Sequence, residues 1–269
     1  MSEASGGGRP NVLDRVLPLL DRPPAEPDVA HGYLDLLGEE DRPHDTIAQR
    51  LMRSGFLPKI YEDLWRPVLF GMFKGPLGPD IEEEYALARD WLDLAAIPDG
   101  TVLDVACGPG NVTRALAAGM TGHGLVVGVD ASSTMLDRAV TDTVRPSPRG
   151  ANGAAEVAYV RGDAADLPFG DEVFDAVCCF GGLYLFDDPW AAVDGITRVL
   201  KPGGRAAFLT TRKPELPVIG MGSSVLGRLT GIRMFGADDL CNALRGRGFT
   251  ALRQRSYGLM QFVGATRDG

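Results

Sequence analysis

Val102 to Thr113 reads VLDVACGPGNVT. Apolar residues flank Asp104, a turn of small residues carries Gly108 and Gly110, and helix-forming sequence follows. The pattern predicts a buried strand, a tight glycine turn and a helix N-terminus in succession. Such a turn lets a ligand approach bare backbone at the carboxyl edge of a parallel sheet. A dinucleotide site would set a pyrophosphate there and would want a third glycine, but Thr113 stands in that place. Asp104 also has the wrong sign for a pyrophosphate, since an acid just before the turn repels an anion and attracts a cation. A ligand with an amino group and a sulfonium fits this charge better.

Working outward, the rest of a doubly wound unit follows in order. Gly124 to Asp130 (GLVVGVD) predicts a second buried strand ending in an acid, twenty residues after Gly110. That is the offset of a ribose-binding carboxylate. Ser132 opens a helix in which Met135, Leu136, Ala139 and Val140 share a face. Further strands are predicted over Glu156 to Ala164, with Asp163 near its end, over Val173 to Gly182, and over Gly204 to Thr211. A helix from Asp187 to Leu200 lies between the last two; it starts with two acids and Pro189 and stops before Lys201-Pro202-Gly203-Gly204. The C-terminal ALRQRSYG and LMQFVGATR read as a strand pair turning at Gly258. The expected architecture is therefore α/β. It is a Rossmann-like, seven-stranded, mostly parallel sheet of order 3-2-1-4-5-7-6 with helices on both faces.

Four stretches, VLDVACGPGNVT, GVDASSTML, RGDAADLPFGDEVFDAV and ITRVLKPGGRAAF, share one order and spacing. In these the chain resembles the class I S-adenosylmethionine (SAM)-dependent methyltransferases. The closest flavour is the group that includes the ubiquinone and menaquinone biosynthesis enzymes. The resemblance covers Ile81 to Phe208 well and reaches more loosely to Phe56 and Thr266. It implies SAM as cofactor, S-adenosylhomocysteine (SAH) as product, and a cofactor set of Tyr61, Asp104, Ala106, Gly108, Gly110, Asp130, Ala131, Met135, Asp163, Ala164 and Phe180. In the family the position of Asp163 accepts a hydrogen bond from the adenine amino group, and that of Ala164 offers a backbone donor to the ring. The segment IYEDLW, with Tyr61 and Trp65, resembles the Tyr-Asp segment that closes over the cofactor. Each residue also has a plainer reading. Asp104 could cap backbone amides in the turn, Asp130 and Asp163 could be strand-end acids, Met135 could fill the core, and Tyr61 with Trp65 could staple a helix to the domain.

Three stretches organise the chain. Residues 1–28 are rich in Gly, Ser and Pro and read as lacking fixed structure for much of their length, though Val12 to Leu20 is amphipathic and could dock. Residues 29–79 read as a helical lid, with aromatics dense between Phe56 and Phe73 and prolines between short helices. Residues 80–269 read as the SAM-binding domain, opened by a helix from Asp80 to Ala96 whose first turn carries Glu82, Glu83 and Glu84.

A length of 269 residues with 45% hydrophobic content is enough for a full core. The net charge of −9 and the lack of any basic run leave no footprint for a phosphate backbone, so nucleic acid is not an expected partner. The four cysteines have no metal-ligand spacing, and no metal is expected. The N-terminus does not read as a signal peptide, and the longest apolar stretch, Ala176 to Phe186, is too short to span a bilayer. A cytoplasmic monomer or homodimer is expected, without stable membrane insertion.

Methyl transfer from a sulfonium is an in-line displacement with a good leaving group, so an enzyme's main tasks are alignment and water exclusion. A carbon or oxygen acceptor can also need a base. The fourth core strand runs into Phe180-Gly181-Gly182-Leu183 rather than the Asn/Asp-Pro-Pro-aromatic signature of exocyclic-amine methyltransferases, which disfavours a nucleobase amine. Tyr184, Asp187 and Asp188 are the candidate bases, with helix capping the competing role for the Asp187-Asp188 pair. The apolar, aromatic segments Gly55 to Gly78 and Pro214 to Phe235 point to a small lipophilic acceptor methylated on carbon or oxygen, or else to helices packing on each other. The alternatives from other classes are a SAM-binding protein without catalytic activity and an NAD(P)-dependent reductase.

Overall fold

The computed structural model describes residues 12–38, 74–75, 78–144, 155–214 and 232–269. Three parallel strands form its centre: β2 (Thr101–Val105), β3 (Leu125–Asp130) and β5 (Phe174–Phe180). β3 and β5 flank β2 on opposite sides, as predicted. β4 (Glu156–Arg161) pairs with β3 and β6 (Leu200–Thr211) with β5, both parallel. β8 (Met260–Arg267) lies antiparallel between β6 and β7 (Phe249–Tyr257). These strands read as near-continuous apolar runs because helices cover both faces of a parallel sheet. Val102, Leu103, Val126, Val127, Val177 and Cys178 are all fully buried. Burying each such aliphatic side chain contributes about 1.5–3 kcal/mol.

The sheet has eight strands rather than seven. The additional one, β1 (Leu34–Asp35), lies at the edge beyond β4 and pairs with it in parallel. The other seven keep the expected order 3-2-1-4-5-7-6. An edge strand presents unpaired N–H and C=O groups, and residues 34–36 satisfy those of β4: the Leu36 N–H donates to the Arg161 carbonyl at 3.1 Å. No local pattern announces a two-residue strand, and its partner lies 126 residues away. Residues 29–38 therefore belong to the sheet edge and not to a helical lid.

The amphipathic piece Val12 to Leu20 is docked on the core. Val12–Arg15 and Leu17–Leu19 are short 3-10 helices, and Leu13, Val16 and Leu20 are buried in the main core. Arg15 ties this piece down, donating to Glu156 at 2.7 Å and to the His123 carbonyl at 2.9 Å. Docking wins over the disorder that composition implied because three apolar side chains meet one groove. Most of the expected lid, with Tyr61 and Trp65, lies outside the described residues, as do 215–231 of the expected acceptor wall.

The helices begin close to where their signals stand. α1 (Ile81–Trp91) has a capping box between Asp80 and Glu83. It ends before Ala96 because Asp93 turns left-handed, at φ +52°, leaving Leu94–Ala96 as a single 3-10 turn. Glu84 does not lie on the helix surface; it is buried against the Lys74 ammonium. α2 (Asn111–Gly119) follows the glycine turn and α3 (Ser133–Val144) follows β3. α4 (Pro189–Val199) precedes β6, and α5 (Asp239–Arg245) precedes β7.

Candidate active site

The chain leaves β2 into a strained turn. Ala106 has φ +57°, Gly108 φ +53° and Gly110 φ +76°. A left-handed alanine costs about 1–2 kcal/mol, and strain of this kind collects at functional sites. The two glycines differ in surroundings. Among the described residues a Cβ on Gly108 would meet nothing within 4 Å, whereas one on Gly110 would collide with the Tyr159 hydroxyl. Gly108 thus presents backbone that no described residue covers, and Gly110 lets the turn rest on β4.

Asp130, at the end of β3, holds this turn from the side. One carboxylate oxygen accepts from the Gly108 N–H and the other from the Ser132 N–H, both at 2.9 Å. A carboxylate has about four acceptor positions, and these two bonds aim the group along the carboxyl edge. Ser132 in turn starts α3, its hydroxyl accepting from the Met135 N–H at 3.3 Å. Asp163 lies in the loop after β4, where its carboxylate accepts from the Ala165 N–H at 3.0 Å. Asp130, Ala131, Asp163 and Ala164 come from adjacent strand ends. The strand order thus brings together one edge of the expected cofactor set.

Asp104 sits under the turn rather than on its surface, being only 1% exposed. Its carboxylate accepts from the Thr113 hydroxyl at 2.7 Å and from the Cys178 thiol at 3.3 Å. Burial is the main cause, and the Asp104 charge a second one, that pushes the Cys178 thiol well up, so it remains a protonated donor at neutral pH. The residue that breaks the dinucleotide pattern therefore has a positive role: the Thr113 hydroxyl on α2 joins Asp104 on β2, and Cys178 on β5 completes the staple. Sequence reading missed Thr113 and Cys178 as partners, although an acid and a hydroxyl nine positions apart across a strand–turn–helix was the available signal.

Met135 is buried, which favours its core role, and Phe180 packs edge-on against Phe262 with ring centroids 6.2 Å apart. The candidate bases Tyr184, Asp187 and Asp188 have different environments. Tyr184 is 5% exposed in the 3-10 turn Leu183–Leu185, and its carbonyl accepts from the Arg233 N–H at 2.9 Å. Asp187 is exposed, with its carbonyl taking the Arg233 guanidinium at 3.0 Å. Its neighbour Asp188 is the N-cap of α4, accepting from Trp190 and Ala191 N–H groups. A cleft of about 480 Å³ lies between α1 and β7, lined by Glu83, Asp90, Arg255 and Tyr257. Among the described residues no cluster of ligating side chains could hold a metal ion, and no helix is long and apolar enough to cross a membrane.

The strand order, the glycine turn over a buried acid and the carboxylates at successive strand ends define a class I methyltransferase fold. Comparison with known proteins makes the assignment particular. Residues 103–208 match the family model described as a methyltransferase domain. The chain is similar to methyltransferases named for quinone substrates. It is 38% identical over 120 residues to a demethylmenaquinone methyltransferase of Lactobacillus johnsonii, covering 45% of this chain and 47% of that one. It is 38% identical over 140 residues to a 2-phytyl-1,4-naphtoquinone methyltransferase of Synechococcus elongatus, covering 50% of this chain and 58% of that one. The chain thus spans about half the length of the curated relatives it matches. Among solved structures, the [4+2]-cyclase SpnF superposes with a TM-score of 0.55 at 22% identity, over 80% of this chain and 96% of that one. These relatives are not reductases, which sets aside the NAD(P) alternative.

Proposed function

We propose that the protein transfers a methyl group from SAM to carbon or oxygen of a small lipophilic molecule, a quinone-type ring being the first class to test. The observation that carries this reading is the open face of Gly108 beside Asp130, within a domain whose relatives are named for quinone substrates. The cofactor supplies an electrophilic methyl on a sulfonium. Asp130 takes the ribose hydroxyls, Asp163 and the Ala164 backbone the adenine, and the turn at Ala106 to Gly110 the methionine end. Asp104 acts from below: its buried position favours a cationic ligand through its field while Thr113 and Cys178 hold its shape. Phe180 and Tyr184 form an apolar wall that keeps water from the sulfonium. Tyr184 or Asp187 serves as base where the acceptor needs one, and Tyr61 closes over the cofactor. The acceptor is a free small molecule rather than nucleic acid. Four unpaired, buried cysteines support a reducing, cytoplasmic setting.

The test is turnover of SAM with demethylmenaquinone and related demethylated quinones, followed by mass spectrometry of the acceptor and quantitation of SAH. Equimolar SAH and a product heavier by one methylene are expected. The second reading is a SAM-binding protein that does not transfer methyl, favoured by a similar fold bearing the name of a cyclase. Tight SAM binding without SAH formation across the acceptor panel would select it.

A further inference from the structure

The edge strand β1 lies outside residues 103–208, and one side chain links it to the loop at the end of β3. Arg161 closes β4 as the register partner of Asp130. Its Nη1 donates to the Asp35 carboxylate at 2.8 Å and to the Gly38 carbonyl at 2.7 Å, while its Nε donates to the Ala131 carbonyl at 3.2 Å. The Asp35 carboxylate is itself braced by the Leu37 and Gly38 N–H groups, at 2.9 and 3.1 Å. The Arg161 and Asp35 side chains are only 18% and 12% exposed, so this pair is shielded from screening more than a surface pair. The same segment buries Tyr33 in a small cluster with Cys107, Leu136 and Tyr159, which joins it to α3 and to the support of the glycine turn. Ala131 lies between the Asp130 carboxylate and the Ser132 N-cap, so a shift of its carbonyl turns the peptide that aims Asp130. A guanidinium serves all three acceptors from one planar fork; a lysine cannot.

We infer that Arg161 is a positioning residue for the loop 130–132, and that the strand Leu34–Asp35 acts on the cofactor site through it. The inference rests on the reading of Asp130 and Ala131 as the ribose and adenine side of that site. β1 then preorganises the loop and is more than a cover for a sheet edge.

The experiment measures SAH and adenosine affinity of the full chain by calorimetry, well below the melting temperature of every variant. Asp35→Asn, Arg161→Lys and Arg161→Ala are each expected to weaken SAH binding by about threefold to tenfold. Adenosine should weaken by the same factor, because the disturbed contacts serve the ribose and adenine half. The double variant D35N/R161A should be no weaker than the weaker single one. Arg198→Ala serves as the stability control. Arg198 bridges the Leu167 and Phe169 carbonyls and Asp171 away from this loop, so its loss should lower the melting temperature and leave affinity unchanged. Unchanged affinity in Asp35→Asn and Arg161→Lys overturns the inference, as does an equal loss in Arg198→Ala. If Arg161→Ala does not fold, the two milder variants decide. Failure of the wild-type chain to bind either SAH or SAM is a different result, which removes the cofactor assignment itself and the inference with it.

Discussion

Among the described residues a Cβ built on Gly108 meets nothing, and one on Gly110 meets the Tyr159 hydroxyl. Alanine at the two positions should therefore fail differently. Gly108→Ala should keep most of its stability, losing about 1 kcal/mol to a left-handed alanine, while SAM affinity falls because the methyl stands where the ligand approaches. Gly110→Ala should lower the melting temperature first, since the turn must lift off Tyr159. Thermal unfolding and SAH calorimetry on both variants check this, and equal behaviour would count against it. Asp130→Ala should remove about 1.5–3 kcal/mol of SAM binding if its carboxylate holds the ribose hydroxyls. It also loses the bonds to Gly108 and Ser132, so Asp130→Asn, which keeps one acceptor oxygen, should fall between. The cysteines give a chemical test. Burial above all pushes the Cys107 and Cys178 thiols well up and Cys179 to about 12. Native protein at neutral pH should resist thiol alkylation, with all four cysteines labelling only on unfolding.

The N-terminal elements carry stability that their composition hides. Leu20 is 7% exposed and packs in the main core, so Leu20→Ala should cost about 2–5 kcal/mol, read by denaturant unfolding. A change within a few tenths would mean that the segment does not hold its docked position in solution. β1 adds a pH-dependent contribution. Burial raises the Asp35 carboxyl, but hydrogen bonds from Arg161 and from the Leu37 and Gly38 N–H groups outweigh it, and the net pKa falls below the ordinary 3.8. A lowered carboxyl pKa contributes stability that is present above the unfolded value and is lost as pH falls through the folded one. The melting-temperature deficit of Asp35→Asn should therefore be full at pH 7 and shrink as pH drops below about 4. A deficit that persists unchanged into acid would show that the carboxylate charge contributes nothing.

At the scale of the whole molecule the sheet has two unlike edges. β1 covers one; β7 forms the other and is exposed along most of its length. Arg253 and Arg255 stand on it, and its ladder to β8 is irregular between Thr250 and Arg253, where Ala251 has φ +47°. Charge and a bulge are the usual defences of an open edge. Replacing both arginines with valine should raise self-association in light scattering without changing the fold by circular dichroism. An unchanged, monodisperse protein would mean that other features guard this edge. The net charge of −9 works in the same direction and should leave the chain unretained by nucleic acid at physiological salt.

The seven core strands and their order were legible because a parallel α/β sheet writes itself locally. Each strand is an apolar run, each crossover a helix between caps, and handedness leaves one winding. Glycine at 108 and 110 and acid at 104, 130 and 163 were legible for the same reason, since turn chemistry depends on near neighbours. What tertiary structure decided were the pairings across long separations. The backbone groups of Leu34–Asp35 found an open edge, Arg15 found Glu156, Glu84 found Lys74, and Asp104 went under the turn because Thr113 and Cys178 offered it donors there. A buried polar group settles where its hydrogen bonds are satisfied. Those partners exist only once distant strands lie side by side, so the sequence by itself determined the frame and the glycine turn, and the packed molecule decided what braces them.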